Sequence, residues 1–171
     1  MTNKSDLNHN QDKENFDKKI KNDVIKAISR RDIRALAFHF LYIADRYDYT
    51  ISLSEIIDNL KTGFNVEILD DSLAVLIANA VIGSRNDLDK QIEPLLQNWK
   101  LERLSCCTRL ILRMSLWELK QDDAIPSVVI NEAIELSKCF AEKDSYKFIN
   151  GILDEACKQL NLSTEEKKET E

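Results

Sequence analysis

The stretch "DSYKFINGILDEACKQL", residues 144–160, decides the fold. Tyr146, Ile149, Leu153, Ala156 and Leu160 follow one another at spacings of 3, 4, 3 and 4. At about 100° per residue they share one face of an α-helix, the face that seeks a core. Asp144 or Ser145 suits the cap of its first turn. Phe148 lies off that face by about 120° of the helical wheel, and Lys147 and Gly151 fall nearly opposite the stripe. The first turn of a helix presents unpaired N–H groups and the positive end of the dipole, which favour an anion. A phenyl ring there can stack a base while the turn holds its phosphate. Phe148 either does this or packs under a neighbouring loop or the first helix.

The same periodicity recurs along the chain. "PSVVINEAIELSKCF" carries a core stripe of Val129, Ala133, Leu136 and Phe140, with Asn131, Glu135 and Lys138 on the other side. Glu132 and Glu135 have no histidine or nucleophile near them in sequence and read as a solvated face. With only three glycines and two prolines in 171 residues, strands and tight turns are hard to build. The expectation is an all-α fold of about seven helices. They span about Ser29–Tyr47, Ser52–Lys61, Val66–Val81, Arg85–Asn98, Leu101–Lys120, Pro126–Phe140 and Ser145–Leu160. Pro126 suits a first helical turn, and Gly63 and Gly83 suit helix ends.

In the first of these helices Ile33, Leu36, Phe40, Ile43 and Tyr47 form one expected core face. Arg31, Arg34, Phe38 and Leu41 run along the opposite side, with Tyr42 beside them. A helix apolar on both sides is either central in the fold or covered by a partner. Arg30, Arg31 and Arg34 are expected to face outward, where a guanidinium fork pairs phosphate and stacks on bases.

The net charge of −6 argues against a general nucleic-acid binder, but the charge is uneven. Residues 13–34 hold eight Lys/Arg against four acids, a local +4 that leaves −10 on the remainder. A basic end on an acidic body reads either as a polyanion contact or as a solvated tail. The expected organisation is a basic disordered tail over 1–28, a helical domain over 29–161 and a charged flexible tail over 162–171. No stretch is long and apolar enough for a membrane span, and the N-terminus lacks the apolar run of a signal peptide. The cysteines, Cys106, Cys107, Cys139 and Cys157, form no C-x-x-C pair and lie far from His9 and His39 in sequence. Reduced cytoplasmic thiols are expected, with no metal and no cofactor.

Four segments in order, "RRDIRALAFHFLY", "LILRMSLWEL", "VVINEAIELSK" and "DSYKFINGILD", strongly resemble the NusB family of transcription antitermination factors. The resemblance covers about residues 29–160. It implies an all-helical fold of two small packed subdomains and a non-enzymatic protein. It implies binding to single-stranded boxA RNA of ribosomal RNA leaders, together with NusE, a ribosomal small-subunit protein. The pair would then join the antitermination complex on RNA polymerase. The family's RNA-facing residues fall on Arg30, Arg31, Arg34, Asp144 and Phe148, with Lys147 between the last two, as one expected site. Its NusE-facing tyrosine falls on Tyr42. Its acidic NusE contact falls on Thr108, in "SCCTRLILR", a departure that Glu102 or Glu118 would have to make good.

Two other readings stand beside this one. NusB-like domains also form the N-terminal module of ribosomal RNA cytosine methyltransferases. These 171 residues carry no glycine-rich cofactor loop and no catalytic cysteine–proline motif, so a free-standing enzyme is not expected. The other reading is a homodimer that buries the RNA-facing surface.

Overall fold

A computed structural model describes residues 29–162 apart from positions 66 and 98. The expected tail over 1–28, and the expected tail over 162–171 beyond its first residue, lie outside the described residues. By Cα proximity the chain divides into two compact units, Met1–Ile33 and Arg34–Glu171. Among the described residues there are six α-helices and no strand. They are α1 (Arg30–Arg46), α2 (Leu53–Phe64), α3 (Leu73–Ile92), α4 (Cys106–Leu119), α5 (Pro126–Phe140) and α6 (Ser145–Gln159). Short 3-10 turns lie at Glu93–Leu96 and Leu101–Arg103.

In the first unit the described residues are 29–33, the start of α1. Ser29 and Asp32 close a reciprocal cap there. The Asp32 N–H donates to Ser29 Oγ at 3.1 Å, and the Ser29 N–H donates to the Asp32 carboxylate at 3.0 Å.

The second unit is built around α4. From Leu110 to Leu116 every residue of α4 is buried. A helix buried all round must be surrounded, and α3, α5 and α6 pack against it while α5 also packs along α6. The stripes expected of α5 and α6 are the ones that meet here: Val129, Ala133 and Leu136 are buried on α5, and Ile149, Leu153 and Ala156 on α6.

Four expectations need correction. The helices expected over 66–81 and 85–98 are one helix, α3, followed by a 3-10 turn. Gly83 does not end it. Ala74, Ile77, Ala78 and Val81 before the glycine and Leu88 and Ile92 after it are buried together. Their packing outweighs the cost of about 1 kcal/mol for a helical glycine. Gly63 does not end α2 either; Asn65, at φ 51°, takes the left-handed position that closes it. The helix expected from Leu101 is interrupted, because Ser105 Oγ accepts the Thr108 N–H and caps α4. Finally, α1 buries Ala37, Phe38, Phe40, Leu41 and Ala44, whereas Tyr47 is 56% exposed. The core face is therefore rotated toward the line that includes Phe38 and Leu41.

One buried cation ties these elements together. On α4, Arg113 is buried, and its fork grips the Asp89 carboxylate of α3 with Nε and Nη2 contacts of 2.6 and 2.7 Å. Its Nη1 donates to the Tyr49 hydroxyl at 3.0 Å. That hydroxyl donates in turn to Asp45 at 3.0 Å, near the end of α1. Arg109 and the Cys106 thiol also donate to Asp45, at 3.2 and 3.0 Å. Asp48 and Tyr49 sit at positive φ, 49° and 56°, a turn that ordinary side chains adopt at a cost and that this network secures. Burial, and then the neighbouring Asp45, push the Tyr49 phenol and the Cys106 thiol each up to about 12. Burial would raise the Asp45 carboxyl, but the bonds from Cys106, Tyr49 and Arg109 outweigh it and hold it below its ordinary value of 3.8.

Two outcomes are expected. Arg113→Ala leaves Asp89 without its cation and Asp45 with Arg109 alone, and costs about 3 kcal/mol in urea unfolding; a loss under about 1 kcal/mol would mean that water compensates the Asp89 carboxylate. Because its folded value is depressed, Asp45 contributes its full stability above pH 3.8 and loses it as pH falls through the lower folded value. Asp45→Asn should flatten that acid limb of stability against pH.

Candidate nucleic-acid and partner interface

Lys147 and Phe148 sit in the first turn of α6. Asp144 occupies the cap position at φ 69° and makes no side-chain cap. The cap falls on Asp144 as expected, but its side chain makes no capping bond; its carboxylate turns to the Lys147 ammonium at 3.0 Å. Both partners of that pair are exposed, so the bond is weak and exchangeable. Lys147 also lies 5.7 Å from the Tyr146 ring centre, and Lys138 lies 5.8 Å from it.

Phe148 is partly buried, off the Ile149–Leu153–Ala156 face as its spacing implied. Its ring meets Trp99 edge-on, with centroids 6.4 Å apart and planes at 63°. Trp99 is 58% exposed. The two rings, with Leu95, Leu96, Ile152 and Gly151, line an open groove of about 370 Å³. Trp99 was not singled out in the sequence. Its signal was a lone aromatic in the polar run "QNWK", too short to carry any periodicity.

Among the arginines at the start of α1, Arg30 and Arg31 are exposed. Arg34 is not: its fork pairs with Glu118 of α4, Nη2 to Oε2 at 2.7 Å and Nε to Oε2 at 2.8 Å, and both side chains are largely buried. The expectation that Arg34 faces outward is corrected by this ion pair, which also occupies Glu118, one of the two acids considered as a substitute at the partner contact.

At that partner contact, Tyr42 is 39% exposed, and its ring leans on buried Phe38 at 6.4 Å. Phe38 stacks on Phe140 of α5 at 4.9 Å. Thr108 is buried at the start of α4, while Glu102 is exposed in a 3-10 turn. A carboxylate does lie over Thr108, but it belongs to Glu142, from the loop between α5 and α6. The Ser105, Thr108 and Ser145 hydroxyls donate to Glu142 Oε2 at 2.7, 3.3 and 3.3 Å. The Ser105 bond foremost holds its carboxyl below the usual range, so Glu142 is a fixed anion at the surface. Only an acid in "AEKD" before a helix marked it in sequence.

Residues 31–158 match the profile of the NusB family. A transcription antitermination protein NusB of Macrococcus caseolyticus is 37% identical over 131 residues, covering 77% of this chain and 98% of the relative. One of Staphylococcus aureus is 37% identical over 126 residues, covering 74% and 96%. T. maritima NusB is similar in structure, with a TM-score of 0.66 at 29% identity over 77% of this chain and 92% of that one. A chain from the crystal structure of antitermination factors NusB and NusE in complex with double-stranded RNA gives 0.63 at 25% identity, over 76% and 96%. With a family profile spanning most of its length and relatives matched nearly end to end, this chain belongs to the NusB family.

Proposed function

We propose that this protein is a transcription antitermination factor that binds single-stranded boxA RNA of ribosomal RNA transcripts together with NusE. The observation that carries the reading is Phe148, an aromatic ring turned away from its helix's core face beside an exposed lysine in a first helical turn. Such a ring stacks bases, and such a turn attracts phosphate. A structural relative crystallised with NusE and double-stranded RNA supports the pairing with NusE and with RNA. The protein acts by binding and not by catalysis, in the cytoplasm, within the antitermination complex on RNA polymerase. Near-complete coverage of short NusB relatives favours this over the methyltransferase module.

Arg30, Arg31 and Lys147 supply phosphate contacts, Phe148 supplies stacking, and Asp144 releases Lys147 to the strand. Arg34 acts by positioning α1 through Glu118. Tyr42 and the Glu142 carboxylate over Thr108 face NusE, with Glu102 at the edge of that contact. The acid missing at position 108 is thus restored in space from a different segment.

Arg30→Ala and Arg31→Ala should each lower the slope of log K against log salt by about 0.7 for single-stranded RNA. Phe148→Ala should cost about 1–3 kcal/mol with the slope unchanged. Binding equal to the parent in all three variants would remove these residues from the RNA interface.

For the protein partner, Tyr42→Asp is expected to weaken NusE binding by about 2 kcal/mol in calorimetry, since it buries an unpaired charge. Glu142→Gln should weaken it by about 1–2 kcal/mol and reduce its salt dependence. Affinity and salt dependence unchanged by Glu142→Gln would assign that carboxylate to capping alone.

A further inference from the structure

We infer that Trp99, Phe148 and Gly151 form a pocket that receives one unpaired nucleobase of the bound RNA; the inference rests on the RNA-binding reading above. The two rings stand at 63° and 6.4 Å, edge to face, so at most one of their four faces is covered by the other ring. Trp99 keeps 58% of its surface in water, although it is one of the largest apolar side chains in the chain.

Gly151 is the second, independent observation. It lies inside α6, one turn beyond Lys147, where glycine is less favourable than alanine. A close internal neighbour would explain it, but a Cβ built there meets nothing within 4 Å. Its φ is not positive either, so no left-handed turn requires glycine. The helix therefore lacks a side chain at the place where it lines the groove, and its bare backbone leaves room for a flat group beside the Phe148 and Trp99 rings.

The chemistry of the groove suits a base. Its walls, Leu95, Ile152 and the two rings, are apolar and match the faces of a heterocycle. Gln97 and Glu155 at the rim offer an amide and a carboxylate to a base edge, and the Lys147 ammonium lies beside the rings where a phosphate would follow. The exposed Asp144 partner of Lys147 can yield to that phosphate. An apolar peptide side chain would match the walls but would bring the lysine no anion beyond Asp144.

The test uses the full chain with NusE and a boxA oligoribonucleotide, alongside a set of oligonucleotides in which one base at a time is abasic. Trp99→Ala should weaken binding to the intact strand by about tenfold, and Trp99→Phe by much less. At one abasic position the Trp99→Ala penalty should vanish, because base and ring are lost from the same contact. Gly151→Ala should raise the melting temperature by about 2 °C while weakening RNA binding several-fold. Neither variant should change affinity for NusE alone. The pocket is overturned if the Trp99→Ala penalty persists at every abasic position, if Gly151→Ala binds RNA as the parent does, or if Trp99→Ala weakens NusE binding in place of RNA binding. If the parent chain with NusE binds no RNA, the RNA-binding reading falls and the pocket falls with it.

Discussion

The buried guanidinium of Arg113 is the constraint on which the helical unit depends. Hydrophobic burial around α4 is strong but non-directional, and it would tolerate α3 and the end of α1 sliding along their neighbours. A forked cation is directional. It must have Asp89 in its plane and Tyr49 at its third nitrogen, and Tyr49 in turn fixes Asp45. One side chain thereby sets the register of α4 against α3 and the exit of the chain from α1. The left-handed turn at Asp48 and Tyr49 is affordable only because this network holds both of its sides.

The Arg34–Glu118 pair acts the same way at the C-terminal end of α4. Together the two pairs explain why α1 presents Phe38 and Leu41 to the core and leaves Tyr42 and Tyr47 outside. A rotation chosen by apolar content alone would place either line inward, since both are apolar. The buried Arg34 carboxylate partner decides between them, because leaving that cation in the interior unpaired would cost more than exposing a tyrosine.

The two candidate faces share a design. Each pairs an element of regular helix with a residue brought in by a short loop: Phe148 with Trp99 after the first 3-10 turn, and Thr108 with Glu142 between α5 and α6. The helix supplies rigidity, and the loop supplies a chemical group that the helix sequence lacks. At Thr108 this matters most. The hydroxyl is no anion, but with Ser105 and Ser145 it fixes one, and the surface there carries a carboxylate all the same.

Much was legible in sequence because it rests on local spacing. The all-helical architecture, the stripes of α5 and α6 and the displacement of Phe148 from the core face all follow from turns of 3.6 residues, a period that neighbouring residues express by themselves. Glycine and serine misled where local preference met packing: Gly83 looked like a stop, but residues on both sides of it share one core, and Ser105 breaks a helix that apolar content would continue. What only the tertiary structure decided are the pairings between distant segments. Arg34 turns inward to an acid 84 residues away, Glu142 reaches a serine 37 residues before it, and Trp99 meets Phe148 across a helix–loop boundary. Helical periodicity says which face a residue occupies on its own element. Which side chain it meets there depends on how the elements cross, and that is set by packing and by the buried charges that fix their register.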